Sequence, residues 1–104
     1  MHESRLDYKK FTIPVEYAEL PVDLKLTEII PNEVTVTLSG PKRSFYLRNK
    51  EEIRLFLQLF NVQQGTRYIN ISRDDLIYPQ DLSIVDIKPN QIKVTIEATD
   101  EEKK

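Results

Sequence analysis

Two stretches of this sequence, EIIPNEVTVTLSG at residues 28–40 and DIKPNQIKVTIEA at residues 86–98, carry nearly the same text 58 positions apart. When the alignment is extended at that offset to residues 20–40 and 78–98, eight of 21 positions are identical, and both copies keep a Pro-Asn pair. Most of the other positions exchange residues of similar size and polarity. A repeat of this kind indicates that one structural unit is used twice.

Each copy continues after its Pro-Asn pair with alternating apolar and polar residues, a pattern typical of strands that bury one face. The apolar positions are Val34, Val36 and Leu38 in the first copy and Ile92, Val94 and Ile96 in the second. Another apolar run precedes each pair, at 24–30 and at 82–87. Proline restricts its own φ and the residue before it, and asparagine tolerates left-handed backbone, so each pair should reverse or sharply bend the chain. These turn residues are Pro31, Asn32, Pro89 and Asn90.

Further strand candidates lie upstream, at 10–17 and 66–73, and Pro14 predicts that the first of them lies at a sheet edge or carries a break. Each half of the repeat, about 10–40 and 66–98, has one apolar face that it cannot bury alone. The halves should therefore pack against each other about a pseudo-twofold axis. The sequence predicts an all-β, mostly antiparallel fold of two strand–turn–strand halves with at most one short helix.

The linker between the halves, residues 41–65, fits two structures. Helical periodicity groups one set of apolar residues, namely Ile53, Phe56, Leu57 and Phe60. Strand alternation groups another set, namely Ile53, Leu55, Leu57 and Leu59. Intrinsic propensities favour the helix by roughly a few tenths of a kcal/mol per residue. Three further structural turn residues are expected around this segment: Gly40, Pro41 and Gly65.

Composition limits the functional classes. The formal charge of the 104 residues is −2 at pH 7, so nucleic-acid binding would need a local basic patch rather than an overall field. Cysteine is absent, which excludes disulfides and thiolate chemistry. The only histidine is His2, and the acidic residues Asp74, Asp75 and Asp81 lack the spacing of a calcium loop. We expect no catalytic residues, no cofactor and no metal site.

Several motifs follow one another in an order that is informative as a set. They are FTIPVEY at 11–17, LPVDLKL at 20–26, IIPNEVTV at 29–36, GPK at 40–42, QQGTRYINI at 63–71 and PNQIKVTIE at 89–97. Over residues 9–98 this order resembles a YbbR-like domain. The resemblance implies a strand over 52–60 and one helical turn within 42–49. It also implies a single domain over 9–98, with a disordered segment at 1–8 and a polar tail at 99–104.

The resemblance implies a function as well. YbbR-like domains are non-catalytic, extracytoplasmic protein-interaction modules, usually repeated behind a membrane helix in regulators of a diadenylate cyclase, the enzyme that makes cyclic-di-AMP. The expected partners are a membrane diadenylate cyclase and neighbouring YbbR-like repeats, with no small-molecule substrate and no membrane insertion by this segment. If 52–60 is a strand with its leucines inward, Phe56 and Phe60 face outward, and with Tyr46 they form a candidate interface.

RNA binding is the main alternative. Basic residues gather within a short stretch and interleave with Phe45 and Tyr46, a composition that can hold phosphate and stack a base. They are Lys42, Arg43, Arg48, Lys50 and Arg54. The YbbR-like fold also resembles a domain of a ribosomal 5S-RNA-binding family. A small enzyme is the third alternative and the least supported.

Overall fold

The computed structural model of the chain describes residues 5–46 and 52–99. The strands are β1 (Leu6–Ala18), β2 (Leu24–Ile30), β3 (Glu33–Pro41), β4 (Arg54–Gln58), β5 (Gly65–Asn70), β6 (Leu76–Ile77), β7 (Ser83–Lys88) and β8 (Gln91–Ala98). Helix α1 (Lys42–Tyr46) follows β3, and a 3-10 turn (Arg73–Asp75) precedes β6. The prediction of an all-β fold with one short helix is confirmed.

The strands form two sheets. The larger sheet has the order β6-β4-β1-β3-β7, and the smaller has the order β2-β8-β5. All neighbours are antiparallel except β1 and β4, which run parallel. Inward side chains of both sheets meet in one core, which agrees with the alternation in the sequence.

Consecutive strands on either side of a Pro-Asn pair lie in different sheets. Strand β2 pairs with β8 of the second half, and β7 pairs with β3 of the first half. The chain crosses between sheets at Pro31-Asn32 and at Pro89-Asn90, and the peptide bond before each of the two prolines is cis. Strands β2 and β7 are therefore exchanged between the halves, and the two-residue β6 of the second half also lies in the larger sheet. This is a closer association than packing alone.

The two strand pairs that join the halves, β2 with β8 and β7 with β3, have the same register. Ile30 pairs with Lys93, and the residues at the 58-position offset, Lys88 and Thr35, pair with each other. The register shifts by one residue at Thr27 in β2 and at Val85 in β7, which are again 58 positions apart. The pseudo-twofold relation thus extends to the β-bulges.

The turns before the exchanged strands also repeat. The amide of Leu24 donates to the Pro21 carbonyl at 3.0 Å, and the amide of Leu82 donates to the Pro79 carbonyl at 3.2 Å. Each proline is the first residue of a four-residue turn that this hydrogen bond closes. The conserved spacing in the repeat therefore corresponds to equivalent backbone hydrogen bonds in the two halves.

Most of the core residues belong to strands. The side chains with the least exposure are Ile13, Val34, Val36, Leu38, Leu55, Leu57, Leu59, Ile92, Val94 and Ile96. They include all six alternating positions that the repeat predicted to be buried. Fully burying an aliphatic side chain contributes about 1.5–3 kcal/mol, so these positions dominate the driving force for joining the halves.

The ambiguous linker adopts the structure that the family resemblance implied. Residues 54–58 form β4, with Leu55 and Leu57 buried, and residues 42–46 form the helical turn α1. The helix over the 53–60 region that local propensity favoured is wrong. Strand β4 runs beside residues 15–18 of β1, whose backbone groups need partners on that side.

One boundary differs from the sequence prediction. Strand β1 begins at Leu6, so residues 6–8 belong to the larger sheet and the segment predicted to be disordered, 1–8, extends too far. The edge position predicted from Pro14 agrees with the structure, because among the described residues β1 up to Pro14 has β3 on one side and no strand on the other. Strand β1 pairs with β3 up to Pro14 and with β4 from Val15, so the proline stands where the strand changes partner.

Gly40 and Pro41 are not a turn, because they are the last two residues of β3 and pair with Asp7 and Leu6. Gly40 is required there by space. A Cβ at this position would lie 2.5 Å from Cδ2 of the buried Leu82 and 3.1 Å from the Asp81 carbonyl oxygen. Gly65 has a different role, since it opens β5 with a φ of 116°, a conformation that other residues rarely adopt.

We expect Gly40→Ala to destabilise the chain by about 1–3 kcal/mol, because overpacking a filled site forces its neighbours to shift. Denaturant unfolding measures the change. The matched control is Ala98→Gly, since the repeat aligns Ala98 with Gly40 and its side chain is exposed. That variant should lose no more than about 1 kcal/mol. A Gly40→Ala chain as stable as the wild type would contradict the steric explanation.

Candidate interaction surface

In and after strand β4, buried leucines alternate with the more exposed side chains of the predicted interface. The leucines point into the core, whereas Phe56 is half-buried and Phe60, which follows the strand, is 62% exposed. Phe56 lies within β4 and Phe60 lies in the turn that follows it. The outward direction of both rings agrees with the strand prediction.

Helix α1 divides its two aromatic residues in the same way. The Phe45 ring is buried and stacks on Phe11 with ring centroids 6.4 Å apart. Tyr46 is 71% exposed. The short helix is therefore held to the core by one ring and presents the next one to solvent.

Arg54 and Glu16 form an ion pair on the outer face of the larger sheet. The residues lie on the adjacent strands β4 and β1, and two hydrogen bonds join them: Nη2 donates to Oε1 at 2.6 Å and Nε donates to Oε2 at 3.1 Å. The guanidinium also lies 4.9 Å from the centre of the Phe56 ring. This geometry combines a bidentate ion pair with a cation–π contact.

The pair changes the titration of both groups. The pKa of the Glu16 carboxyl lies below its ordinary value, chiefly because the hydrogen bonds from Arg54 favour the ionised form. Desolvation opposes this shift and the charge of Arg54 adds to it. The pKa of Arg54 is raised by the hydrogen bonds and the charge of Glu16. Both groups are thus held in their charged forms.

The basic residues of the RNA alternative are placed unequally. Lys42 and Arg43 are exposed on α1, while Arg54 is committed to Glu16 and lies on β4. Arg48 and Lys50 lie outside the described residues. A phosphate would have to compete with a bidentate carboxylate for Arg54. The structure therefore adds nothing in favour of this alternative.

A second surface was missed by the sequence reasoning. On the outer face of the smaller sheet, Ile30, Lys93 and Tyr68 lie side by side across three strands, with Ile30 47% and Tyr68 62% exposed. Glu28 accepts a hydrogen bond from Thr95 at 3.0 Å and lies 3.9 Å from the Lys93 ammonium. The alternation of residues in TRYINI could have predicted that the Tyr68 ring faces outward. It could not have predicted which residues of other strands lie beside the ring.

Of the three acidic residues considered as a cation site, Asp75 has a structural role. The Ser72 amide donates to Oδ2 of Asp75 at 3.0 Å, which closes the 3-10 turn. In residues 5–46 and 52–99 no cluster of three or more acidic or histidine side chains could hold a metal ion. In the same ranges none of the helices combines the length and the apolar character that crossing a bilayer requires.

A family model described as YbbR-like protein matches residues 13–96. Among solved structures, the chain is similar to a YbbR-like protein from Streptococcus pneumoniae, with a TM-score of 0.70 and 18% identity over 94% of this chain and 50% of that one. This chain thus spans about half the length of that structure. A comparison with curated proteins found no match.

Two other solved structures agree in length as well as fold. A YbbR family protein from Desulfitobacterium hafniense has a TM-score of 0.73 and 16% identity, over 88% of this chain and 98% of that one. A YbbR-like domain of a Listeria monocytogenes protein has a TM-score of 0.68 and 25% identity, over 89% of this chain and 95% of that one. The matched unit is therefore close to this chain in size.

We expect the Glu16–Arg54 pair to stabilise the fold at neutral pH and to lose that effect in acid. Because the folded pKa of Glu16 is below the ordinary 4.5, the contribution is complete above about pH 4.5 and disappears as the pH falls through the folded value. The free energy of unfolding of Glu16→Gln should accordingly be lower than that of the wild type at pH 7. The two should converge once the pH has fallen below the folded pKa of Glu16.

The control is the same substitution in an Arg54→Gln background, where the difference at pH 7 should be much smaller. Urea unfolding at a series of pH values measures all four chains. A difference between wild type and Glu16→Gln that persists unchanged into acid would contradict this account of the pair.

Proposed function

The chain belongs to the YbbR-like protein family, and we propose that it is a non-catalytic module that binds a protein partner. In this proposal the module lies on the extracytoplasmic side of the membrane, as one repeat of a membrane-anchored regulator. Its partners are a membrane diadenylate cyclase and the neighbouring repeats. Contact with the module then modulates the synthesis of cyclic-di-AMP.

The observation that carries the proposal is the exposure of aromatic rings on well-defined elements. Tyr46 ends a helix that Phe45 fixes to the core, and Phe60 directly follows β4. Aromatic side chains bring a large contact area at little entropic cost and are enriched among the residues that dominate binding energy. Rings held this way suit recognition of another protein surface.

The length comparison supports a place in a longer protein. The Streptococcus pneumoniae structure is about twice as long as the region that this chain matches. A second unit of similar size would present its own outer faces, and repeats joined in series can bind a partner with higher avidity than one module. This favours a repeat within a regulator over an isolated binding domain.

We expect the module to retain the diadenylate cyclase of its own organism, supplied in detergent, when the module is immobilised. Phe60→Ser should weaken this binding by about fivefold or more, because truncating a dominant interface residue costs more than about 1 kcal/mol. The melting temperature should stay close to that of the wild type, since the ring is exposed. Binding is measured by biolayer interferometry and stability by calorimetry.

The matched control is Phe45→Ser, which removes a buried ring and should lower the melting temperature strongly. Failure to retain the cyclase would overturn the proposed partner, and full binding by Phe60→Ser would remove Phe60 from the interface. A labelled RNA serves as a counter-probe. Saturable RNA binding that weakens steeply with salt would replace the proposal with the RNA alternative.

A further inference from the structure

Strand β5 is an open sheet edge with neither a bulge nor a proline. Among the described residues the other edge strands are β2 and β7, which carry bulges at Thr27 and Val85, and β6, which has two residues. Residues 6–14 of β1 are also open on one side, and that stretch ends in Pro14. Bulges and short length are common means of keeping an edge from pairing with another chain. Strand β5 has six residues and an unbroken register with β8. Its outer backbone groups can therefore accept a further strand.

The direction of the free backbone groups follows from one hydrogen bond. The amide of Ile71 donates to the Asn90 carbonyl at 2.8 Å, which continues the antiparallel register of β5 and β8. In such a ladder alternate residues bond to the partner strand. The amides and carbonyls of Thr66, Tyr68 and Asn70 therefore point away from β8, toward the open side.

A groove of about 500 Å³ runs along this open side. Residues from both faces of β5, Arg67 and Tyr68, line the groove, so it follows the edge of the strand. The opposite wall is the segment that follows β4. The apolar lining residues are Leu59, Val62 and Ile69. Side chains of an added strand would thus find an apolar contact beside the exposed backbone.

Arg67 gives the groove a positive charge. Its Nη2 atom donates to Oε1 of Gln63 at 3.4 Å and to the Gln64 carbonyl at 3.2 Å, and both acceptors are uncharged. Within the ranges that the structure describes, no carboxylate lies at ion-pair distance from Arg67. The guanidinium is therefore held over the groove by neutral groups and is available to an incoming acid.

We infer that β5 binds an extended acidic peptide segment of a partner protein, which adds to the smaller sheet as a fourth strand. This inference rests on the proposal that the module binds protein, and it names the surface and the chemistry of the ligand. Main-chain hydrogen bonds to an exposed edge supply affinity in this mode, and alternate side chains supply specificity. The segment carries a carboxylate that pairs with Arg67.

Register defines the sequence of the segment. Both strand pairs of the smaller sheet are antiparallel, and an antiparallel addition makes Tyr68 a hydrogen-bonded position. Arg67 and Ile69 are then non-hydrogen-bonded positions, where facing side chains lie closest. Read from the N-terminus, the segment has an apolar residue opposite Ile69, any residue opposite Tyr68, and an acidic residue opposite Arg67.

A second copy of the chain is a poorer occupant of the same edge. Two β5 strands pairing about a twofold axis at Tyr68 would set each Arg67 opposite an Ile69 of the other copy. Neither Arg67 guanidinium would then pair with a carboxylate, although both would be partly removed from water. Charge complementarity thus favours an acidic partner strand over self-association.

The probe is a capped peptide, Thr-Thr-Val-Thr-Glu-Thr-Thr, compared with one in which lysine replaces glutamate. Titration into the isotope-labelled chain should shift the amide resonances of Thr66, Tyr68 and Asn70 most. The glutamate peptide should bind about fivefold or more tightly than the lysine peptide. In Arg67→Glu the preference should reverse, which a general loss of folding cannot produce.

Backbone pairing is tested separately by Tyr68→Pro. This substitution removes the central amide that faces the groove without removing a bond to β8, and it should abolish peptide binding. Pro14 shows that the fold accommodates proline in β1 at an amide that likewise faces away from its antiparallel partner. Tyr68→Thr keeps the amide and is the matched control, so it should still bind.

Absence of saturable binding would overturn the inference, as would shifts centred elsewhere or an unchanged peptide preference in Arg67→Glu. Concentration-dependent dimerisation with shifts at β5 would assign the edge to a second copy instead. The cyclase assay distinguishes this inference from the proposed function. If the cyclase binds Tyr68→Pro as tightly as the wild type, the edge inference fails and the proposed function stands. If peptides bind to β5 and the cyclase does not bind the module, the edge inference stands and the proposed partner fails.

Discussion

The structure depends on the exchange of β2 and β7 between the two halves of the chain. A strand that crosses to the other sheet leaves its backbone donors and acceptors to be satisfied there, by β8 for β2 and by β3 for β7. Unpaired backbone groups in a buried sheet are costly. Each half pairs two of its own strands, β1 with β3 and β5 with β8, but each sheet is completed by an edge strand from the other half. Backbone pairing and core burial therefore arise together, which is the condition for cooperative folding of a domain this small.

Much of this fold could be read from the residues, and the part that could not has a physical explanation. Alternation reports which side of a strand is buried, so the inward positions from Val34 to Leu38 and from Ile92 to Ile96 were predictable. Alternation does not report which strand lies alongside. A Pro-Asn bend between two half-buried strands is compatible with a hairpin or with a crossing between sheets. Only the pairing of β2 with β8 distinguishes them, and that is a contact between residues nearly 70 positions apart.

The linker shows tertiary structure overriding local preference. Leu, Glu and Arg favour a helix by tenths of a kcal/mol per residue, whereas a strand at 54–58 supplies backbone partners to β1 and buries Leu55 and Leu57 in the core. The polar contacts of the site are even harder to predict from the sequence. Glu16 and Arg54 are 38 positions apart in sequence and become neighbours only through the parallel pairing of β1 and β4. The strand pattern was enough to predict the exposed rings of the candidate interface, but it could not predict the ion pair beside them.

The two halves of the repeat share their strand pairing and their buried positions, and they differ in the side chains on their outer faces. The row of Tyr68, Lys93 and Ile30 on the smaller sheet corresponds, by register, to Thr12, Thr35 and Lys88 on the larger one. Positions that face the core keep their character across the twofold relation, because both copies must fill the same interior. Outward positions carry no such constraint. Beyond Pro14, β1 continues and pairs with β4 at residues 15–18, whereas β5 ends at Asn70 without an equivalent continuation among the described residues. A duplicated unit can thus extend its sheet internally through one copy alone.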